Sequence, residues 1–241
     1  MMSRGFFITG TDTGVGKTVI AAAVIKALHA RGIHACGMKP IETGCQTIGE
    51  NLFPSDGMFL KKVARMDENI HHITPYCFAS PVAPSVASEA EKREITTAVI
   101  MDAFAGLSAK YGTVVVEGIG GILVPIKRDF FVIDLVRELA LPLIVVSKPS
   151  LGTINHTLLT VNYALKMGIT VSGVIMNFAR PHGGTIAEET NPHVIQQLCP
   201  VPLVGIFPYL ATLEDEVIER NALKHLDIEL LHHQLIKGNS L

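Results

Sequence analysis

A lysine and a threonine end a glycine-rich stretch near the start of the chain, GTDTGVGKT at Gly10–Thr18. Gly14 and Gly16 let the backbone turn tightly and approach a phosphate closely, so that successive N–H groups point toward the anion. In such a loop Lys17 would reach the outer phosphates, and the Thr18 hydroxyl would ligate a magnesium ion that bridges them. The spacing predicts a nucleotide site; the alternative is a glycine-rich strand-to-helix turn with a solvated lysine.

This stretch is one residue longer than the usual phosphate-binding loop. The usual pattern has a glycine six residues before the lysine, whereas Thr11 occupies that place here and Gly10 lies one step earlier. An apolar run, Gly5–Thr9, precedes the loop, and the apolar-periodic stretch Val19–Leu28 follows it. The extra residue therefore distinguishes the loop from the common form without removing its phosphate-binding features.

Magnesium also needs carboxylates, and one is expected at the end of a later buried strand. The run Thr113–Glu117 is such a strand, and it ends in an acid beside Gly118 and Gly120, which suggest a second close approach of the backbone to phosphate. Glu117 is therefore a predicted metal ligand, with a simple turn cap as the alternative. Taken alone, Asp56 is predicted to be an ordinary residue in the first turn of a helix.

Lys39 lies near the end of the second predicted strand, whose carboxyl end faces the same crevice as the loop. An unpaired lysine is costly to bury in an apolar strand, so it should meet an anion. One possibility is a structural salt bridge with Glu42. The other is that Lys39 is a second cation over a transferring phosphoryl group, where it would stabilise charge that develops in the transition state.

The elements that must position these residues can be read from apolar runs and helical periodicity. The predicted strands are Phe6–Thr9, Cys36–Ile41, Thr113–Glu117, Leu143–Ser147, Val171–Asn177 and Leu203–Phe207. The predicted helices are Lys17–Arg31, Ser55–Met66, Ile95–Lys110, Val132–Glu138, Ile154–Met167 and Thr190–Leu198. This alternation is typical of an α/β fold with a doubly wound, mostly parallel sheet and helices on both faces, in which ligands bind beyond the carboxyl ends of the strands.

No repeat or linker divides the chain, so residues 1–241 are predicted to form a single P-loop ATP-binding domain. Two stretches rich in Gly, Pro, Thr and Ser, Thr43–Ser55 and Thr74–Ala87, are predicted to be loops over the strand ends. The charged segment from Glu214 onward is predicted to form one or two surface helices, with a C-terminal helix and a loose tail at about 225–241.

Composition restricts the classes of partner. The formal net charge is −2 and the longest basic run is Lys61-Lys62, so neither nucleic acid nor an anionic membrane is an expected partner. The 4 cysteines form no C-x-x-C pair, which argues against a zinc site or a disulfide framework. No apolar run approaches the roughly 18 residues of a membrane span, and no signal-peptide pattern is present. A cytoplasmic protein that binds small molecules is therefore expected.

Beyond the phosphate loop, a series of short motifs resembles the dethiobiotin synthetase family in order and spacing. The motifs are Lys39-Pro40 with Thr43-Gly44, Ser55-Asp56, Pro75-Tyr76 with Ala83-Pro84, Val116-Glu117-Gly118 with Gly120-Gly121, the run from Leu151 to His156, and Gly205-Ile206-Phe207-Pro208. The resemblance covers most of the chain. It implies an enzyme that joins 7,8-diaminononanoate, CO₂ and MgATP into dethiobiotin, ADP and phosphate, through a carbamate and a carbamic–phosphoric mixed anhydride.

The resemblance assigns roles to particular residues. It implies that Lys17 and Lys39 are catalytic, and that Thr43 contacts the substrate or its carbamate. The implied Mg²⁺ ligands are Thr18, Asp56 and Glu117. The implied nucleotide-binding residues are Thr13, Gly14, Val15, Gly16, Lys17, Thr18, Val19, Asp56, Glu117, Gly118, Ile119, Gly120, Asn177, Pro208, Tyr209 and Leu210.

The nucleobase is expected to be adenine. By resemblance, the amide of Asn177 would pair with the base, and backbone from Pro208–Leu210 would contact it. ATP is favoured over GTP because Phe178 and Arg180 stand where the guanine-reading pattern Asn-Lys-x-Asp has its lysine and aspartate.

A second binding segment begins a later helix and consists of Gly152, Thr153, Ile154 and Asn155. Free N–H groups at a helix start suit a carboxylate, although on sequence alone this segment is only a helix cap. By resemblance it binds the substrate carboxylate of the neighbouring subunit, which implies a homodimer with the active site at the interface.

Two other classes of nucleotide-binding protein remain open. Partition and septum-positioning ATPases share the fold and a related loop, but they carry a signature lysine five residues before the loop lysine, where Asp12 stands here. Amidoligases of the cobyrinic acid a,c-diamide synthase type have a similar long loop. They add a glutamine-hydrolysing domain, for which a chain of 241 residues is expected to have no room.

Overall fold

A six-stranded parallel sheet forms the centre of the computed structural model, which describes residues 4–237. The strands are β1 (Arg4–Gly10), β2 (Ala35–Met38), β3 (Ile41–Thr43), β4 (Gln46–Ile48), β5 (Asn51–Phe53), β6 (Tyr76–Phe78), β7 (Thr113–Glu117), β8 (Pro125–Lys127), β9 (Phe130–Phe131), β10 (Leu143–Ser147), β11 (Val171–Asn177) and β12 (Leu203–Phe207). The helices are α1 (Lys17–Ala30), α2 (Ser55–Val63), α3 (Ile70–Ile73), α4 (Pro84–Ala90), α5 (Thr97–Tyr111), α6 (Val132–Leu139), α7 (Thr153–Lys166), α8 (Ile186–Leu198), α9 (Asp215–His225) and α10 (Ile228–Lys237).

The sheet is covered on both faces, as its apolar runs predict. Phe6, Phe7 and Ile8 of β1 are all fully buried. Because successive side chains of a strand point to opposite faces, such a run requires packing on both sides. The prediction of an α/β fold with a doubly wound parallel sheet is confirmed.

The strand order places the predicted site at the centre of the sheet. That order is β12–β11–β10–β1–β7–β2, so β1 lies between β7 and β10. After β1 the chain first forms β2 and β7 on one side of β1, and later forms β10, β11 and β12 on the other side. The loop after β1 therefore opens where the strand order reverses, which is the usual place for a ligand in such a sheet.

One predicted strand, Cys36–Ile41, is wrong in its second half. The strand β2 ends at Met38, and the residues after Pro40 form β3, which pairs in parallel with β6 in a separate sheet. Proline lacks the N–H that a central ladder needs, and the Lys39 N–H donates to the carbonyl of Ile73 instead. Lys39 is therefore placed just beyond the carboxyl edge of the central sheet.

Other differences from the predicted elements have local causes. The predicted helix Thr190–Leu198 is too short, because α8 begins a turn earlier with a capping box between Thr185 and Glu188. The predicted loops Thr43–Ser55 and Thr74–Ala87 contain some regular structure: the β4–β5 hairpin in the first, and β6 with the start of α4 in the second. The remaining predicted helices differ from the observed ones only near their ends. Within residues 4–237, no helix has the length and apolar character needed to cross a membrane.

The C-terminal segment forms two helices, α9 and α10, and they are attached to the core. Ile218 and Leu231 are fully buried. Nζ of Lys26 on α1 lies 2.6 Å from Oδ2 of Asp215 at the start of α9, and Lys26 is 2% exposed. The segment is thus fixed by apolar contacts and by an ion pair whose lysine is buried and whose aspartate is partly buried. The end of the predicted loose tail, residues 238–241, falls outside the described part of the chain.

Replacing Asp215 by alanine is expected to lower the free energy of unfolding by roughly 2–4 kcal/mol, because it leaves the Lys26 ammonium buried without its partner. The matched control is Glu229→Ala, which removes the partner of Arg31 in an exposed ion pair and should cost less than about 1 kcal/mol. Urea unfolding of both variants measures the difference. Equal losses in the two variants would show that the buried pair does not anchor α9.

Candidate active site

A cavity of about 850 Å³ opens beside the loop that follows β1. Its walls include most of the residues predicted to form the site. These are Thr13, Gly14, Gly16, Lys17, Thr18, Val19, Lys39, Thr43, Asp56, Glu117, Ile119, Gly120, Asn177, Pro208, Tyr209 and Leu210. The volume lies within the range of cofactor and substrate sites.

The phosphate loop joins β1 to α1 with glycines in the left-handed region. The angle φ is 74° at Gly14 and 87° at Gly16, and Gly16, the N-cap residue of α1, has no side chain to cap the helix. The first N–H groups of this helix are therefore available to an anion, which the helix dipole favours. Nζ of Lys17 lies 3.1 Å from the carbonyl oxygen of Asp12. Burial and the nearby Lys39 ammonium lower the pKa of Lys17 to about 8, so a bound phosphate would supply the counter-charge that this lysine needs.

Lys39 lies at the centre of a cluster of charged side chains. Its Nζ is 2.5 Å from Oε1 of Glu117, 2.9 Å from Oδ2 of Asp56 and 3.2 Å from the carbonyl oxygen of Gly118. The Thr18 hydroxyl donates to the same Glu117 oxygen at 2.9 Å. Burial alone would lower the pKa of Lys39, but the carboxylates of Glu117 and Asp56 raise it above its ordinary value. Lys39 is therefore a buried cation held beside two carboxylates.

The oxygen atoms of this cluster suit Mg²⁺. Oε2 of Glu117 is buried and has no hydrogen-bond partner among residues 4–237, and Thr18 and Asp56 reach the same cluster. Across residues 4–237, no group of three or more His, Cys, Asp or Glu side chains could hold a metal ion. A cation here would therefore complete its shell with hydroxyl, phosphate and water oxygens, as Mg²⁺ does when it binds with a nucleotide. The residues fit a metal that arrives together with phosphate.

Asn177 lies at the other side of the loop. Its Nδ2 donates to the carbonyl oxygen of Val15 at 2.8 Å, while its Oδ1 is buried and has no partner in the described part of the chain. A Cβ at Gly16 would lie 2.1 Å from Nδ2, so the close approach of this side chain requires glycine there. The free Oδ1 can accept a hydrogen bond from an exocyclic amine of a base. Beyond it, the ring of Phe178 stacks on His182 with centroids 5.0 Å apart.

Comparison with known proteins shows the family. A family model described as "AAA domain" matches residues 4–217. The ATP-dependent dethiobiotin synthetase of Thermodesulfovibrio yellowstonii is 44% identical over 237 residues, which cover 95% of this chain and 99% of that protein. The ATP-dependent dethiobiotin synthetase of Bacillus subtilis is 38% identical over 232 residues, which cover 96% and 99%. The chain belongs to the dethiobiotin synthetase family.

Two solved structures share the fold of this dethiobiotin synthetase family member. The MinD cell division protein of Aquifex aeolicus has a TM-score of 0.56 at 14% identity, with 97% of each chain covered. A ParA family ATPase from Chlorobium tepidum has a TM-score of 0.50 at 17% identity, with 98% and 95% covered. At these identities the likeness concerns the fold alone. Family membership therefore favours the synthetase over the ATPase switch, in agreement with Asp12 in the loop.

One segment expected from the dethiobiotin synthetase resemblance does not line the cavity. Gly152, Thr153, Ile154 and Asn155 form the start of α7, outside the cavity walls. Thr153 is buried, and its hydroxyl lies 3.4 Å from that of Thr157, whereas Asn155 is exposed. The segment does not reach the site of its own chain, and its role toward a neighbouring subunit stays a prediction.

Two residues predicted to bind nucleotide are absent from the cavity walls for reasons of packing. Val15 is fully buried and contributes its carbonyl oxygen to Asn177. The N–H of Gly118 donates to the carbonyl oxygen of Ile8 at 2.9 Å, and a Cβ on Gly118 would lie 2.6 Å from the ring of Phe7. The Gly118 N–H is therefore engaged within the protein and this position requires glycine for packing, while its role toward a nucleotide stays a prediction.

The alternative of a structural salt bridge between Lys39 and Glu42 is wrong. Glu42 turns instead to the start of α2, where it accepts hydrogen bonds. The residues of the cavity wall that sequence reasoning did not identify are Glu42, Pro81, Val82, Val124, Ala179, Ala211 and Leu213. From the sequence, Pro81 and Val82 are predicted only to belong to a loop over the strand ends.

Proposed function

We propose that the chain joins 7,8-diaminononanoate and CO₂ into dethiobiotin while converting ATP to ADP and phosphate. It is an ATP-dependent ligase that forms carbon–nitrogen bonds, the class to which its family belongs. The observation that carries the proposal is the convergence of two buried lysines, Lys17 and Lys39, beside Thr18 and Glu117 at the mouth of the phosphate loop.

The reaction has three steps. One substrate amine attacks CO₂ and loses a proton, which gives a carbamate. A carbamate oxygen then attacks the γ-phosphorus of ATP, and ADP leaves. The second amine attacks the carbonyl carbon of the resulting carbamic–phosphoric anhydride, phosphate leaves, and the cyclic urea forms. In the second step two anions must be held close together, so positioning and charge stabilisation are the main tasks of the protein.

The two lysines divide these tasks. Lys17 follows the glycines of the loop and would bind the outer phosphates of ATP. Lys39 lies deeper, 3% exposed, and would stabilise the negative charge shared by the carbamate and the transferring phosphoryl group. Thr43, which ends β3 on the cavity wall, would donate its hydroxyl to the substrate or its carbamate.

Thr18, Asp56 and Glu117 would hold Mg²⁺ through oxygen atoms, as the donor set and the unpartnered Oε2 of Glu117 support. When bound, Mg²⁺ neutralises charge on the phosphate oxygens. The chain's own part is to keep these oxygens in place before the metal and nucleotide arrive, which the hydrogen bond from Thr18 to Glu117 does.

The nucleobase would lie against Asn177 and the segment Pro208–Leu210. Because Nδ2 of Asn177 already donates to the Val15 carbonyl, the buried Oδ1, which has no partner among the described residues, would be the atom left to accept a hydrogen bond from a base. An acceptor at this position favours the exocyclic amine of adenine over the carbonyl oxygen of guanine. ATP is therefore the proposed nucleotide rather than GTP.

A homodimer in the cytoplasm completes the proposal. The start of α7 would bind the substrate carboxylate in the site of the neighbouring subunit, since Asn155 is exposed and lies away from the cavity of its own chain. The exposed Leu151 and Leu159 on the same segment support such a contact.

The test of the proposed function is incubation with 7,8-diaminononanoate, bicarbonate and MgATP, followed by mass analysis. Dethiobiotin and one phosphate per product are expected, and omission of the diamine should abolish both. ATP hydrolysis that requires DNA, membrane or a protein partner, without dethiobiotin, would instead support an ATPase switch.

Replacing Asn155 by alanine is expected to raise the KM for the diamine about tenfold or more, the effect of losing a hydrogen bond to a charged group, while the KM for ATP stays close to that of the parent. Steady-state kinetics with each substrate varied in turn measures this. The control is Asn162→Ala, since Asn162 lies on the same helix and donates to the Leu158 carbonyl of that helix.

Mixed dimers test whether Asn155 acts across the interface. Lys39→Gln and Asn155→Ala chains that are co-expressed should recover roughly a quarter of the parent activity at low diamine, because half of the dimers would be mixed and one of their two sites would be intact. Activity no higher than the mean of the two separate variants would place Asn155 and Lys39 in the site of the same chain.

A further inference from the structure

The helix α2, which carries Asp56, begins without a cap of its own. Its N-cap residue is Pro54, which has no side-chain acceptor, and no side-chain cap comes from that position. Free N–H groups at a helix start need a partner when they are buried, and Gly57 in this first turn is buried. The partner comes from a different part of the chain.

That partner is the carboxylate of Glu42. Its Oε1 accepts from the Ser55 hydroxyl at 3.1 Å and from the Asp56 N–H at 3.0 Å, and its Oε2 accepts from the Gly57 N–H at 3.1 Å. Glu42 is 5% exposed; its bond from the Gly57 N–H is buried, and its bonds from Ser55 and Asp56 are partly buried. A carboxylate at a helix N-terminus is favoured by the helix dipole as well as by the hydrogen bonds.

The bond to the Asp56 N–H bears directly on the cluster around Lys39. The backbone of Asp56 is held by Glu42, while its side chain lies 2.9 Å from Nζ of Lys39. Glu42 itself belongs to β3, which starts two residues after Lys39. The segment from Lys39 to Glu42 therefore provides the lysine of the cluster. Through Glu42, the same segment also holds α2, the helix that carries the Asp56 carboxylate.

We propose that Glu42 is a positioning residue, which holds the first turn of α2 so that the Asp56 carboxylate is in place to bind Mg²⁺. This inference rests on the proposed function only in taking Asp56 as a metal ligand. A purely structural cap would stabilise the helix without affecting metal binding. Loss of a group that orients a metal ligand typically weakens metal affinity 10–100-fold.

The experiment measures ADP binding by calorimetry with Mg²⁺ and with EDTA, in the parent and in Glu42→Gln. In the variant an amide donor replaces one carboxylate oxygen, and the charge is lost. The Mg²⁺-dependent gain in ADP affinity should fall about tenfold, while affinity in EDTA stays unchanged. Glu188→Gln is the matched control, because Glu188 accepts backbone N–H bonds from Gly183 and Thr185 at the start of α8, and it should leave both affinities unchanged.

A double-mutant cycle shows whether Glu42 acts through Asp56. In an Asp56→Asn background, Glu42→Gln should cause little further loss of the Mg²⁺-dependent gain. A lower melting temperature with an unchanged Mg²⁺ effect would overturn the proposal and leave a structural cap. If Glu42→Gln does not fold, Ser55→Ala is used instead, since it removes one of the three hydrogen bonds to Glu42. Ser55→Ala should also lower the Mg²⁺-dependent gain in ADP affinity, but by a smaller factor. An unchanged gain in Ser55→Ala would overturn the proposal. Because the readout is metal-dependent nucleotide binding, it does not depend on dethiobiotin formation.

Discussion

Replacing Lys39 by glutamine is expected to lower kcat on the order of 10²–10³-fold, the usual result of removing one preorganised group that stabilises transition-state charge. Lys39 is a buried ammonium in contact with Glu117 and Asp56, so water screens its charge little and glutamine does not replace that charge. ATP affinity should change little, because the phosphate loop and Lys17 remain. Rapid-quench and steady-state assays of dethiobiotin formation measure kcat, and calorimetry measures nucleotide binding.

The same substitution at Lys62 is the control, since Lys62 is an exposed residue of α2 outside the cavity walls. Lys62→Gln should retain the parent kcat. If Lys39→Gln loses ATP affinity and kcat in equal measure, Lys39 acts in ground-state binding of the nucleotide. Turnover near the parent rate in Lys39→Gln would remove this lysine from the mechanism.

The central sheet could be predicted because its strands are continuous apolar runs. Val114, Val115 and Val116, for example, are all fully buried, and such a run fits a strand that is covered on both faces. The predicted end of β2 is wrong because the apolar run continues through Pro40, although proline cannot donate to a central ladder. Thr185 and Glu188 form a capping box that marks the early start of α8. The apolar periodicity from which the helix is predicted does not reveal this capping box.

The candidate site was predictable to different degrees. Lys17 and Thr18 follow from a motif whose local geometry makes the site, so spacing alone predicts them. Asp56 could be linked to the site only by family resemblance, because its contact with Lys39 joins distant parts of the chain. The possible pair between Glu42 and Lys39 does not form for the same reason: a glutamate three residues from a lysine suggests a pair, whereas the fold directs Glu42 to the start of α2. Contacts of this kind depend on tertiary packing, which a local pattern does not encode.

Replacing Glu117 by glutamine is expected to abolish most of the Mg²⁺-dependent activity, with a loss of about 10²-fold or more in kcat at fixed Mg²⁺, because one proposed metal ligand loses its charge. The amide has nearly the same shape, and its oxygen can still accept from Thr18 and Lys39. The loss of activity would therefore result from the lost charge of Glu117 and not from a cavity left in the core. The Mg²⁺ concentration required for half-maximal activity should rise, which a titration at constant ATP measures.

Glu68→Gln provides the matched control. The Glu68 carboxylate is also largely buried and accepts bonds from Lys110 and Tyr111, yet it lies outside the cavity walls. It should alter stability without changing the Mg²⁺ requirement. Because Glu117 also balances Lys39, the loss of its charge should leave ADP binding in EDTA equal to or stronger than in the parent, since the uncompensated lysine favours an anion. A Mg²⁺ requirement equal to that of the parent would exclude Glu117 as a ligand and leave it only as the counter-ion of Lys39.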